Sequence, residues 1–302
     1  MKKPILLFLL IVALSGLSAQ QMVVQSISKL SFSESGGYFY PKFSPDAAYL
    51  LLTSASYSGL QQFTLADQQL RELSSDPGAG YNVQVSADGT RLLYTKIEMV
   101  DRLRYNSLQS LSLSTGEKRQ LTAPGRDAIA PSFSTDKPVY VKSKALQREG
   151  VATAELKPVL TIEDRKMVVY SASGRKVLDP VGNDASYIWP SFSPDGKKIL
   201  FTAAGRGSFV CTADGKNLVS LGRLNAPVWL NQNWVVGMND RDDGGRVVES
   251  TLWAVTTNGK IRQQLPTPDG LIAMYPAVSP DGSKIAFNSD RGEIFMMQVI
   301  TR

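Results

Sequence analysis

The feature that most constrains the fold is an internal repeat. Five segments share one plan: PKFSPDAAYLLLTS from Pro41, VQVSADGTRLLYTK from Val83, PSFSTDKPVYVKS from Pro131, PSFSPDGKKILFTA from Pro190 and PAVSPDGSKIAFNSD from Pro276. Each holds an apolar residue, Ser, one residue and Asp, followed by a run of β-branched and aromatic residues. The aspartates stand at 46, 88, 136, 195 and 281, at spacings of 42, 48, 59 and 86. The last spacing is about twice the first, so a degenerate copy is expected inside it. PVWLNQNWVVGMND from Pro227 supplies one, with Gln232 at the Asp position and gaps of 37 and 49. Ser-Pro-Asp-Gly is turn chemistry: proline presets φ, Asp bonds its own backbone and Gly accepts φ > 0. Short strands flanking such turns at 40–50-residue intervals are the mark of propeller blades. A single four-stranded blade cannot bury both of its faces, whereas a closed ring buries each blade between two neighbours.

The expectation is therefore an all-β, six-bladed β-propeller of four-stranded antiparallel blades, starting near residues 41, 83, 131, 190, 227 and 276. The sixth unit has three strands and then the chain stops. The stretch Val23–Leu30 is strand-like and unclaimed, so residues 22–31 are expected to close the last blade as its outer strand. The third unit is about ten residues longer than its neighbours. Its excess, around Leu146–Val159 and Arg165–Lys176, reads as an elongated hairpin and a second candidate contact surface.

The N-terminus has a different character. Lys2 and Lys3 precede a ten-residue apolar run, Ile5–Leu14, and then the small residues of Gly16–Ala19. This is the pattern of a cleaved secretory signal over residues 1–19, the run being too short to span a bilayer. Residues 20–302 are then one propeller domain, exported to the periplasm or the extracellular space and not integral to the membrane. Of 33 basic residues, losing Lys2 and Lys3 leaves 31 against 27 acidic ones, a net charge of +4. The basic residues are scattered and form no phosphate-tracking run, which argues against nucleic acid as a partner. A single cysteine, Cys211, excludes an intrachain disulfide and reads as a small buried apolar residue.

The Ser-Pro-Asp-Gly repeats resemble the WD40-like repeats of the TolB propeller family. Asn288–Met297 (NSDRGEIFMM) is similar to that family's strand–SDR-G–EIY–strand segment, and Tyr275–Gly282 (YPAVSPDG) to its turn. The resemblance spans residues ~22–302. It implies a six-bladed ring that acts by binding. The α/β domain that precedes the propeller in full TolB is expected to be absent, so the partnership of TolB with a peptidoglycan-associated lipoprotein is not carried over.

The sequence contains no histidine. That removes Ser-His-Asp and Cys-His activation, HExxH zinc sites and histidine as a general base. No G-x-S-x-G, phosphate-loop or C-x-x-C motif is present, so no catalytic residue, cofactor or metal set is assigned. The expected role is a non-catalytic binding scaffold of the cell envelope, monomeric, with a protein or envelope component as its partner. The alternative is a histidine-free carbohydrate-active enzyme using paired carboxylates in the channel. A third reading is a small-ligand or metal-binding propeller using the carboxylates of 240–243, although the interposed Arg241 favours a solvated loop.

Topology predicts which end of the ring binds. First-to-second and third-to-fourth turns lie at one end. Second-to-third loops and the links between blades lie at the other. The second end receives the aromatics that precede each inner strand, Tyr38, Phe39, Tyr40, Tyr81, Tyr187, Trp189 and Tyr275, together with Asp290-Arg291-Gly292 and Asp240–Gly245. Binding candidates are Tyr40, Tyr81, Trp189, Tyr275, Asp240, Arg241, Asp290 and Arg291.

Overall fold

The computed structural model describes residues 21–32, 36–148 and 150–302. The expected signal segment, 1–19, lies outside the described residues. The described chain forms seven antiparallel sheets, not six. The first strand, β1 (Met22–Lys29), is set aside until the ring closes. Blade 1 is β2 (Phe39–Phe43), β3 (Tyr49–Thr53), β4 (Leu60–Thr64) and β5 (Leu70–Ser74). Blade 2 is β6 (Gln84–Val85), β7 (Arg91–Val100), β8 (Leu103–Ser112) and β9 (Lys118–Gln120). Blade 3 has three strands, β10 (Ile129–Ser134), β11 (Lys137–Lys142) and β12 (Ala145–Gln147). Blade 4 also has three, β13 (Val159–Glu163), β14 (Lys166–Ser171) and β15 (Gly174–Leu178). Blade 5 is β16 (Tyr187–Phe192), β17 (Lys198–Ala203), β18 (Gly207–Thr212) and β19 (Val219–Gly222). Blade 6 is β20 (Asn225–Trp229), β21 (Trp234–Asp242), β22 (Val247–Thr256) and β23 (Arg262–Gln264). Blade 7 is β24 (Ala273–Val278), β25 (Lys284–Ser289) and β26 (Ile294–Thr301), completed by β1 in the order β1-β26-β25-β24. The N-terminal strand thus closes the last blade, pairing Met22 with Thr301 through to Lys29 with Phe295.

The extra blade comes from the long third unit, and its origin lies in strand direction. The strands β2, β6, β10, β16, β20 and β24 are the six inner strands marked by the repeat. In blade 4 the β13–β14 turn lies at the opposite end from the Ser-x-Asp turns. Lys144, in the β11–β12 turn, forms a 2.8 Å ion pair with Asp164 in the β13–β14 turn. The Tyr187 N–H donates to the Arg165 carbonyl at 3.0 Å, as Tyr38 donates to Gly292 and Gly80 to Tyr57, both acceptors being second-to-third loop residues. The β13–β14–β15 sheet therefore corresponds to strands two to four of a blade. Between β12 and β13, residues 148 and 150–158 form neither an outer strand for blade 3 nor an inner strand for blade 4. That link stays at the turn end, where Lys137 Nζ donates to Gly150 O at 2.6 Å and Lys157 N to Ser134 Oγ at 2.8 Å. Without an inner strand of the repeat's kind, blade 4 carries no Ser-x-Asp signature, and its strands read as a hairpin.

The packing explains why many strands do not alternate in hydrophobicity. Every residue of β3, YLLLT, is buried. Tyr49 and Leu51 pack with Leu92, Tyr94 and Leu111 of blade 2, whereas Leu50 and Leu52 pack with Ala286, Ile294 and Met296 of blade 7. Both faces of one strand are covered, each buried leucine contributing roughly 1.5–3 kcal/mol. The turns are as the repeat implies in four blades. Ser44, Ser86, Ser193 and Ser279 each donate to the Asp two residues on at 2.6 Å. The same hydroxyl accepts the N–H of the residue that opens the next strand, at 2.9–3.1 Å. Blade 3 departs: Ser134 Oγ is diverted to Glu155 O and Lys157 N, and the Thr135-Asp136 turn is a two-residue hairpin.

Candidate binding site at the channel mouth

The mouth is built by a recurrent bulge in the inner strands. The register shifts between Phe39 and Lys42, Ile188 and Ser191, Asn225 and Val228, and Met274 and Ala277. At each shift a non-glycine residue adopts the left-handed region before a proline: Tyr40 (φ 52°), Trp189 (φ 51°), Ala226 (φ 43°) and Tyr275 (φ 51°). Asn82 (φ 53°) holds the same place before Val83. This conformation costs roughly 1–2 kcal/mol per non-glycine residue and is uncommon for bulky side chains. The bulge interrupts the ladder where proline lacks a donor and re-aims the residue before it. The displaced Tyr40 N–H is satisfied by Asn288 Oδ1 at 3.1 Å.

Three of these five left-handed residues are aromatic, and two of these converge. Tyr275 meets Tyr40 edge-on with centroids 4.6 Å apart, Tyr40 stacks on Tyr57 at 4.1 Å, and Tyr57 meets Tyr81 edge-on at 5.4 Å. The result is a ladder of four tyrosines running from blade 7 across blade 1 to the entry of blade 2. Burial, then the neighbouring Tyr40, pushes the Tyr275 phenol up to about 12. The Tyr57 phenol is held far above its ordinary range, first by burial and then by its contact with Tyr40. These hydroxyls are therefore neutral donors at any physiological pH.

A cavity of about 490 Å³ opens beside the ladder. Phe39 and Tyr40 line it from blade 1, Met274 and Tyr275 from blade 7, and Arg246 from the blade 6 hairpin, with Asp290 and Arg291 at its edge. Asp290 and Arg291 are exposed. The structure thus brings four of the eight sequence candidates, Tyr40, Tyr275, Asp290 and Arg291, to one cavity and joins Tyr81 to it through Tyr57. Trp189 is 41% exposed but sits across the ring on blade 5. Asp240 lies beside Tyr275 at the rim, where its Oδ1 accepts from Asn225 Nδ2 at 2.8 Å. Arg241 pairs across the hairpin with Glu249 at 3.3 Å, both exposed. Asp242 and Asp243 accept backbone N–H groups of residues 244–246, so they shape the loop. Tyr38 and Tyr187 are core residues, 4% and 1% exposed.

Sequence reasoning did not single out Tyr57, Arg246 or the tip of the long β7–β8 hairpin, where Met99, Val100 and Leu103 are exposed. Among the described residues, most exposed large apolar side chains, these three with Tyr81, Ile188 and Trp189, are at the mouth end. A second cavity of about 460 Å³ lies between blades 1 and 2 at the turn end. Its polar groups are already engaged: Arg71 donates to Gln62 and Leu113 O, and Tyr49 to Gly89 O.

Comparison with known proteins finds relatives at the level of structure. No family model and no curated protein matches the sequence. TolB from Acinetobacter baumannii is similar, with a TM-score of 0.53 and 18% identity over 80% of this chain. This chain spans 56% of that protein's length. A putative TolB from Agrobacterium tumefaciens gives 0.56 at 15% identity, covering 94% of this chain and 99% of its own. The Cps50 (Swd1) β-propeller domain from Myceliophteria thermophila gives 0.59 at 13% identity, covering 91% and 100%. The shared property is the fold: the chain is a β-propeller, and TolB and WD40 propellers are among its structural neighbours.

Proposed function

We propose that this chain is an exported, non-catalytic propeller of the cell envelope that captures a protein or envelope component at its channel mouth. The observation that carries this reading is the tyrosine ladder. Two of its members are placed by left-handed bulges, beside a mixed cavity edged by exposed Arg291 and Asp290. Rigid aromatics with an adjacent arginine are what binding hot spots are made of. The left-handed residue recurs at five inner strands, and at Tyr40 and Tyr275 it carries a bulky aromatic to the same cavity; backbone outliers of this kind cluster at functional sites. Among the lining residues Asp290 is the one carboxylate, whereas carboxylate-pair glycoside chemistry needs two flanking the scissile bond. Export is supported by the charged, apolar and small-residue order of residues 2–19.

Cross-linked capture from an envelope extract tests the proposal. A single defined protein is expected with the wild type and with Lys197→Ala at the turn end. It is expected to be lost with Tyr275→Ala plus Arg291→Ala. Equal capture by that double variant, with its fold verified by circular dichroism, rejects the mouth as the binding face.

A further inference from the structure

Below the tyrosines the channel wall carries one unusual charge. Lys42 follows Pro41 on β2, the inner strand of blade 1, two residues further into the ring than Tyr40. Its Nζ donates to the Val83 carbonyl, immediately before the inner strand of blade 2. An amine that bridges the inner strands of adjacent blades lies in the channel wall. At the same register, one residue past the proline position, the other inner strands of the repeat carry Gln84, Ser132, Ser191, Val228 and Ala277. All are uncharged, and all are partly solvent-accessible, as is Lys42.

A lysine ammonium has three donors. Among the described residues the Val83 carbonyl is the one hydrogen-bond partner of Lys42, and no carboxylate stands within ion-pair distance. Lys166 and Lys29 instead lie 2.7 and 2.6 Å from carboxylates. A cation drawn partly out of water, with spare donors and no counter-charge, gains from an anion that joins it. We infer that Lys42 forms a carboxylate-binding site inside the channel, reached through the tyrosine-lined mouth. A carboxylate fits because its oxygens accept from the amine's spare donors and its single negative charge matches the one charge at this register. The carboxylate can belong to a small free acid or to the C-terminal end of an inserted segment. The site is independent of the mouth's macromolecular partner, so failed capture and failed carboxylate binding are separate results.

Burial lowers the pKa of the Lys42 ammonium to about 8, and no charged side chain contributes to that shift. Folding draws the amine partly out of water, which disfavours its charged form, and a bound carboxylate favours that form again. The test is lysine ¹³Cε NMR of the whole protein, titrated with sodium acetate at constant ionic strength set by chloride. Lys42 is expected to titrate below the ordinary lysine range. Acetate is expected to shift its signal saturably and to raise its midpoint, with affinity falling about tenfold per pH unit above that midpoint. A Gly-Ser tetrapeptide as free acid and as amide forms the second arm. Tighter binding of the free acid, lost on amidation, assigns the site to a chain end, and equal affinity with acetate assigns it to free acids. Absence of a saturable acetate shift at Lys42 in the wild type overturns the inference. So does an acetate response at Gln84 that survives in Lys42→Met.

Discussion

Ring closure depends on the third residue after the expected cleavage site, a position that in most chains would fray. Met22 is fully buried in a cluster with Leu252 and Leu265 of blade 6 and Met297 and Val299 of blade 7. Its backbone is held on both sides by one side chain of blade 6: Met22 N donates to Gln263 Oε1 at 3.1 Å and Gln263 Nε2 donates to Met22 O at 2.6 Å. Met22→Ala removes most of a buried side chain from a site walled by two blades, which limits collapse. The expected cost is about 2–5 kcal/mol, a large share of the roughly 5–15 kcal/mol that keeps a domain folded. Gln263→Ala strips two partly buried backbone groups of their partner, at about 1–3 kcal/mol. Because both changes loosen the same latch, their effects should fall short of additive by at least about 0.5 kcal/mol. Urea unfolding followed by tryptophan fluorescence reports this, since Trp234 lies in the same cluster. A Met22→Ala midpoint indistinguishable from wild type would mean that the N-terminal strand is not seated in solution, and the latch argument would fail.

Four further outcomes follow from the same structure. Hydrogen bonds from Ser44, Ser86, Ser193 and Ser279 hold the turn carboxyls of Asp46, Asp88, Asp195 and Asp281 below their ordinary range, Asp281 at about 2. Their folded pKa values are depressed, so their contribution is complete above about pH 4 and disappears as pH falls toward 2; Asp281→Asn should flatten that acid limb of the urea-midpoint profile. Ala47 (φ 57°) holds the turn position that Gly89, Gly196 and Gly282 hold in other blades, so Ala47→Gly should raise stability by about 0.5–1 kcal/mol, and a loss would contradict the left-handed assignment. Cys211 is buried, with its thiol pushed up to about 11 by burial and then Asp214, and should resist a disulfide reagent at pH 8 until urea unfolds the ring. Ultraviolet titration should find the Tyr275 phenol still protonated at pH 11, its absorbance change disappearing in Tyr275→Phe.

What the sequence made legible, and what it hid, follows from where its signal is written. The Ser-x-Asp turn marks an inner strand and its return, so all six inner strands of the repeat were found, including the one at Pro227, where Asn231 rather than the expected Gln232 takes the part of Asp by accepting the N–H groups of Asn233 and Trp234. Blade 4 has no such strand, and its Glu163-Asp164-Arg165-Lys166 hairpin carries no mark of its own. The aromatics before the prolines were legible as residue types. Their convergence was not, because it depends on the left-handed turn of Tyr40 and Tyr275 and on Tyr57, which sits in the Ser54–Gly59 loop between β3 and β4. Trp189 shares the bulge but not the neighbourhood, and Arg241 spends its charge on Glu249. The named residues nevertheless share one end of the ring despite the wrong blade count, for a topological reason. In an antiparallel chain each lost strand reverses the direction of everything after it. Between β12 and β13 two strands are missing, the outer one of blade 3 and the inner one of blade 4, and two reversals cancel. Had one strand been lost, Tyr275, Asp290 and Arg291 would have been carried to the opposite end from Tyr40, and no shared cavity could have formed between blades 7 and 1.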